Sequence, residues 1–135
     1  MKELTLDATI ENITRATEFV NAQLEASGCE TMTIRRIDVA IDELFSNIAR
    51  YAYASHIGTV TVCVEMRQDP RAVEISFVDA GSPYNPLEHK DPDSGLTSKE
   101  RKDGGFGIYI VKKTMDDVRY EYVDGHNATT IVKMY

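Results

Sequence analysis

The sequence predicts an α+β domain, a two-layer sandwich with helices on one face of a single mixed, mostly antiparallel sheet. Three observations predict it. Stretches that alternate apolar and polar residues occur near the start, in the middle and at the end of the chain, as half-buried strands do. Two long stretches near the start instead carry apolar residues at helical spacing. Tight-turn dipeptides, Asp69-Pro70 and Asp124-Gly125, join the middle and final pairs of strands into hairpins. The predicted order is β-α-α-β-β-loop-α-β-β, all within one domain spanning residues 1–135.

Each element has its own reason. Residues 2–8 set Leu4, Leu6 and Ala8 against Glu3, Thr5 and Asp7, which reads as a short strand. Residues 10–27 carry Ile13, Ala16, Val20 and Leu24 along one helical face, and Gly28 is placed to end that helix in a left-handed conformation. Residues 31–54 are the clearest helix: Ile34, Ile37, Ile41, Leu44 and Ile48 form a stripe that must face a sheet or another helix. Thr31 or Thr33 is the expected N-cap. Residues 58–68 and 72–78 alternate with many β-branched residues and form the first hairpin. Residues 80–104 have no period and hold three of the four prolines, as a functional loop of that length would. A short helix over 106–115 and strands over 118–123 and 128–134 complete the chain.

Composition narrows the function. The 135 residues make one domain with one core, and 42% of them are hydrophobic. A net charge of −7 argues against a general nucleic-acid binder, which needs a basic face. No run approaches the about 20 apolar residues of a membrane span. The first residues lack the apolar core of a signal peptide, so a cytoplasmic location is expected. Cys29 and Cys63 sit in unlike contexts, and His56, His89 and His126 have no partner at metal-ligand spacing. Free thiols and no zinc site are expected.

Three constellations carry chemistry. Glu43 and Asn47, four apart, project from one face of the second helix beside its apolar stripe. The carboxylate suits proton abstraction, and the amide oxygen is a hard ligand suited to Mg²⁺. Asp79, at the end of an apolar strand, is placed to accept a hydrogen bond from an exocyclic amine, with Gly81 allowing a flat ring to approach the backbone. Gly104-Gly105-Phe106-Gly107 opens a helix, where backbone N–H groups favour anions such as a triphosphate. It is not a Walker A motif, because no Gly-Lys-Ser/Thr follows. Each constellation alone is also compatible with an ordinary solvated pair, a turn or an irregular loop. The joint pattern is much more specific.

That joint pattern resembles the gyrase, histidine-kinase and MutL ATPase superfamily, and more closely the small anti-sigma factor serine/threonine kinases of bacteria. The matching stretches are Ile41 to Tyr53 around Glu43 and Asn47, Asp79-Ala80-Gly81-Ser82-Pro83-Tyr84-Asn85-Pro86-Leu87, and Gly104 to Val111 with Met115-Asp116 behind it. The resemblance covers essentially the whole chain. It implies the Bergerat ATP-binding fold, with a lid over about residues 82–104. It implies ATP or ADP and Mg²⁺ as cofactors, with Glu43 as general base and Asn47 as Mg²⁺ ligand. Asp79 would read the adenine amine with Gly81 beneath the ring, while Gly104, Gly105, Phe106 and Gly107 cradle phosphates. A threonine of the closing strand would support the adenine. Alternation groups Thr130 with Val132 and Met134, which favours Thr130 over Thr129. Arg50, or Lys102 with Lys99 and Arg101, is the candidate phosphate-facing cation.

The implied activity is phosphorylation of a STAS-domain anti-anti-sigma factor, coupled to sequestration of a sigma factor, by a homodimer. The alternatives are a nucleotide-gated protein-binding module without phosphotransfer, or a bare ATPase. The sequence departs from the family's pattern at Tyr51, where these kinases often carry His, and at Ala128, where many carry Gly.

Overall fold

The computed structural model describes residues 1–88 and 105–135. Strand β1 (Lys2–Asp7) leads through a 3₁₀ turn (Ile10–Asn12) into helix α1 (Ile13–Ala26) and helix α2 (Thr31–Tyr51). Strands β2 (Thr59–Arg67) and β3 (Ala72–Asp79) follow, then a 3₁₀ turn (Pro86–Glu88), helix α3 (Gly105–Thr114), and strands β4 (Asp117–Val123) and β5 (His126–Met134). The sheet order is β1-β2-β3-β5-β4. All four pairings are antiparallel, so the expected mixed character is absent among the described strands.

The two early helices form as their patterns require. Ala16, Val20 and Leu24 of α1 are fully buried. At its end Gly28 takes φ 76°, the Gly28 N–H donates to Glu25 O, and the Cys29 N–H donates to Leu24 O. This pair of bonds satisfies carbonyls that a helix end otherwise leaves orphaned. The N-cap of α2 is Glu30, in an extended conformation, rather than either threonine. The Thr33 hydroxyl instead donates to the Glu30 carboxylate at 3.3 Å. Ile37, Ala40, Ile41 and Phe45 of α2 are fully buried.

Register decides which sheet face meets the helices. Val62 lies opposite Phe77 and Val64 opposite Ile75, while Ile75 also faces Ile131 across β5. All five are at most 1% exposed, so this row is the centre of the core. Emptying such a site by Phe→Ala costs about 3–5 kcal/mol. The opposite face carries no helix among the described residues. It is stitched by hydroxyl pairs, Thr5 with Thr61 at 2.9 Å and Ser76 with Thr130 at 2.8 Å. Arg119 adds ion pairs to Glu74 and Asp117 there. Cys29 is buried and Cys63 half-buried, and both are free thiols.

The loop after α2 is fastened by one hydroxyl. Tyr53 Oη donates to Thr59 O at 2.6 Å and accepts from the Ala80 N–H at 2.9 Å. The end of α2, the start of β2 and the exit of β3 are therefore held together. That convergence places the polar end of the sheet beneath the last turns of α2.

Candidate nucleotide site

Helical spacing brings Glu43 and Asn47 together. Asn47 Nδ2 donates to Glu43 Oε1 at 3.2 Å, and Asn47 is 5% exposed. Its own Oδ1 receives no hydrogen bond from a described residue, so it remains available as a hard ligand. Burial pushes the Glu43 carboxyl above its usual range, the Asn47 bond lowers it, neighbouring Asp42 raises it and Arg50 lowers it. A carboxyl raised toward neutrality is a better proton acceptor at physiological pH. Arg50 is exposed and acts on Glu43 only through its charge.

The first turn of α3 presses directly on this carboxylate. A Cβ added to Gly107 would lie 2.2 Å from Glu43 Oε2, so a larger residue there would displace the Glu43 carboxylate. The positive end of a helix thus sits beside Glu43, where phosphate groups would also be favoured. Gly105 opens α3, and the side-chain surroundings of Gly105 and Phe106 lie outside the described residues. So do Lys99, Arg101, Lys102 and Gly104, and of the expected lid only residues 82–88 are described.

Asp79 is 4% exposed at the end of β3. Its Oδ1 accepts from the Gly81 N–H at 2.8 Å and from Asn127 Nδ2 at 2.9 Å. Its Oδ2 takes no hydrogen bond from a described residue. A cavity adjoins it. Leu44, Ile48 and Ala52 form apolar walls, Asp79, Asn127 and Thr129 supply polar groups, and Asn47 also lines it. Tyr84 and Pro86 border it from the loop after β3. Apolar walls with a few convergent polar groups are what a purine needs.

One expectation needs correction. Thr130 lies on the face away from the cavity. The pairing of Asp79 with Asn127 and of Phe77 with Thr129 turns Asn127, Thr129 and Ile131 toward the helices. Thr129 therefore lines the cavity, while the Thr130 hydroxyl pairs with Ser76 on the open face. The alternation misled because Asn127, Thr129 and Ile131 are the buried residues of this strand and Val132 is only partly buried. At Gly81 a Cβ would lie 2.2 Å from Ala52 O, so the end of α2 approaches this glycine closely.

Asn127 is the residue that sequence reasoning missed. It is 3% exposed and bonds Asp79, the Gly81 and Ser82 carbonyls, the Tyr84 N–H and the Tyr120 hydroxyl. Tyr84 in turn stacks on Tyr51, ring centroids 5.7 Å apart. Burial raises the Tyr84 hydroxyl's pKa, and the nearby Tyr51 and Glu43 add to that. No signal in the sequence pointed to Asn127, because its place beside Asp79 depends on the register between β3 and β5.

The family comparison agrees with this geometry. The profile of the histidine kinase-like ATPase domain matches residues 6–134. The chain belongs to that family. Family relatives include the serine/threonine-protein kinase BtrW of Bordetella bronchiseptica, 25% identical over 96 residues, or 70% of this chain and 66% of BtrW. The serine-protein kinase RsbW of Bacillus cereus is 23% identical over 94 residues, covering 68% of this chain and 59% of RsbW. The matched stretch thus spans under two thirds of these relatives. Among solved structures, the RsbU and RsbW domains of Rv1364c from Mycobacterium tuberculosis superpose with a TM-score of 0.69 at 19% identity, over 99% of this chain and 33% of that one. The SiaB-SiaC complex from Pseudomonas aeruginosa gives 0.57 at 14% identity, over 98% of this chain and 89% of that one. Both likenesses establish the shared fold.

The donor set fits a magnesium nucleotide. Asp79 offers an acceptor to an exocyclic amine, Asn47 a hard oxygen, and the start of α3 a positive helix end. The cavity itself measures about 20 Å³, room for a water molecule but not for a purine.

Proposed function

We propose that this chain is an ATP-dependent protein serine kinase. It transfers phosphate to a STAS-domain anti-anti-sigma factor and sequesters a sigma factor when that antagonist is not engaged. The observation that carries the reading is the Glu43–Asn47 pair, clamped beneath Gly107 and adjoining the Asp79 cavity. A half-buried, hydrogen-bonded carboxylate at a helix N-terminus, next to an apolar slot, suits proton abstraction. The kinase names of the relatives support the same class of reaction.

In this reading Asp79 Oδ2 accepts from the adenine amine and Thr129 supports the ring. Asn47 Oδ1 would hold Mg²⁺, which when bound neutralises charge on the phosphates. Glu43 takes the proton from the attacking serine hydroxyl. Arg50 and Lys102 are the cations proposed to meet the phosphates, with the Gly104-to-Gly107 turn cradling them. A homodimer formed through the open sheet face, in the cytoplasm and without nucleic acid or membrane, completes the proposal. No helix among the described residues is long and apolar enough to cross a membrane. The SiaB-SiaC complex, a structural neighbour of the same fold, supports a protein partner.

The small cavity favours a second reading, a nucleotide-gated binding module that switches partners without transfer, or a bare ATPase with water in place of serine. Incubation with γ-labelled ATP and a STAS-domain protein separates them. Label on a serine of that protein, absent with Glu43→Gln, supports the kinase. Nucleotide binding without label supports the module, and phosphate release without a protein acceptor supports the ATPase.

A further inference from the structure

Asn127 pairs with Asp79 across β3 and β5, at the edge of the cavity. Its carboxamide is saturated. Nδ2 donates to Asp79 Oδ1 at 2.9 Å, to Ser82 O at 2.9 Å and, more weakly, to Gly81 O at 3.4 Å. Oδ1 accepts from the Tyr84 N–H at 3.1 Å and from the Tyr120 hydroxyl. The partners fix the orientation of the amide. Reversed, its oxygen would face a carboxylate and two carbonyls, and its NH₂ would face the Tyr84 N–H.

This arrangement does two things to the base end of the site. It holds Asp79 through Oδ1, leaving Oδ2 without a hydrogen bond from a described residue and open to a donor in the cavity. It also ties that carboxylate to residues 81–84, in the loop after β3, including the Tyr84 that borders the cavity. A purine with a 6-amino group donates to Oδ2, whereas a purine with a 6-carbonyl sets one acceptor against another. A buried site built around one hydrogen bond discriminates strongly against the analogue that cannot make it, because its polar group is left unpaired.

We infer that Asn127 is a positioning residue for base specificity: by holding Asp79 Oδ1 and the loop after β3 together, it makes Asp79 select a 6-aminopurine nucleotide. The inference rests on the proposed nucleotide reading of the Asp79 cavity. The opposing view is that Asn127 merely stitches a loop, and the two differ in what its loss does to selectivity.

The test titrates ATP and inosine triphosphate, which carries a 6-carbonyl, into the wild type, Asn127→Ala and Tyr120→Phe, with thermal melts of each. The wild type is expected to prefer ATP by about 100-fold. Asn127→Ala is expected to lose about tenfold or more of ATP affinity and less than about threefold of inosine triphosphate affinity, collapsing the preference. Equal weakening of both nucleotides, or no change, overturns the inference. If Asn127→Ala melts below the assay temperature, Tyr120→Phe decides. It removes only the hydroxyl that braces Asn127 Oδ1 and should cut the preference about threefold, while an unchanged preference overturns the inference. A wild type that binds nucleotides without preferring ATP defeats the assignment of Asp79 itself, a result visible before any variant is compared.

Discussion

The helix-facing side of the sheet has two halves that the same strands build differently. Around Val62, Val64, Ile75, Phe77 and Ile131 every side chain is apolar and at most 1% exposed. One residue pair further along β3 and β5, the rows become Asp79 with Asn127, and Phe77 with Thr129. With Asn47 from α2, these supply four of the buried polar residues, and all four line one cavity. A buried polar group adds little to stability even when fully bonded. The apolar half holds the fold, and the polar half is kept for what it binds.

Substitutions in the two halves should therefore fail in different ways. The largest effect is expected from Phe77→Ala, which should cost about 3–5 kcal/mol of stability. Denaturant unfolding checks it, and a loss below about 1 kcal/mol would mean that this row is not the core. Next is Glu43→Gln, expected to lower phosphotransfer about 10²–10⁴-fold while raising the melting temperature at pH 7. Burial raises the folded-state pKa of Glu43 above its ordinary 4.5. The stability linked to its protonated form is therefore complete below that value and lost as pH rises through the folded pKa. The melting advantage of Glu43→Gln should be small near pH 4.5 and grow toward pH 7. A constant offset across that range would contradict the linkage.

Gly81→Ala should follow, since its Cβ collides with Ala52 O. A loss of about 1–3 kcal/mol is expected, typical of forced overpacking. Thermal melts that match the wild type would show that the end of α2 yields easily. The smallest effect sharpens the comparison most, because Thr129 and Thr130 are neighbours on opposite faces. Thr129→Val should weaken ATP binding by about tenfold, the loss of one buried hydrogen bond. Thr130→Val should leave it unchanged, and the reverse ranking would put the site on the open face.

The chain's legibility divides along the same line. Strands with one apolar face announced themselves by alternation, and α2 by the stripe from Ile34 to Ile48, because burial of one face imposes the period. Gly28 was legible because a left-handed helix end leaves few alternatives. The N-cap of α2 was not, since Glu30 precedes two equally plausible threonines and backbone conformation rather than residue type made the choice. In the site, Glu43 and Asn47 could be paired from spacing alone, helical geometry being local. Asp79 with Asn127 could not, because their contact depends on the register between β3 and β5, 48 residues apart. The same missing register hid that Thr129, not Thr130, lines the cavity. Gly81 was rightly read as a point of close approach, but sequence does not say what approaches, and here it is Ala52.

The central claim is that Asp79 receives the base of a nucleotide, and calorimetric titration of Mg·ATP into the wild type and Asp79→Asn tests it most directly. An asparagine at this position keeps an oxygen for the Gly81 N–H and for Asn127, so the fold should survive. It places an NH₂ where Oδ2 now faces the cavity, setting donor against the adenine amine. The account predicts binding to the wild type and a loss of about tenfold or more in a variant that melts like the wild type. Equal affinity of the two folded proteins for Mg·ATP would contradict it.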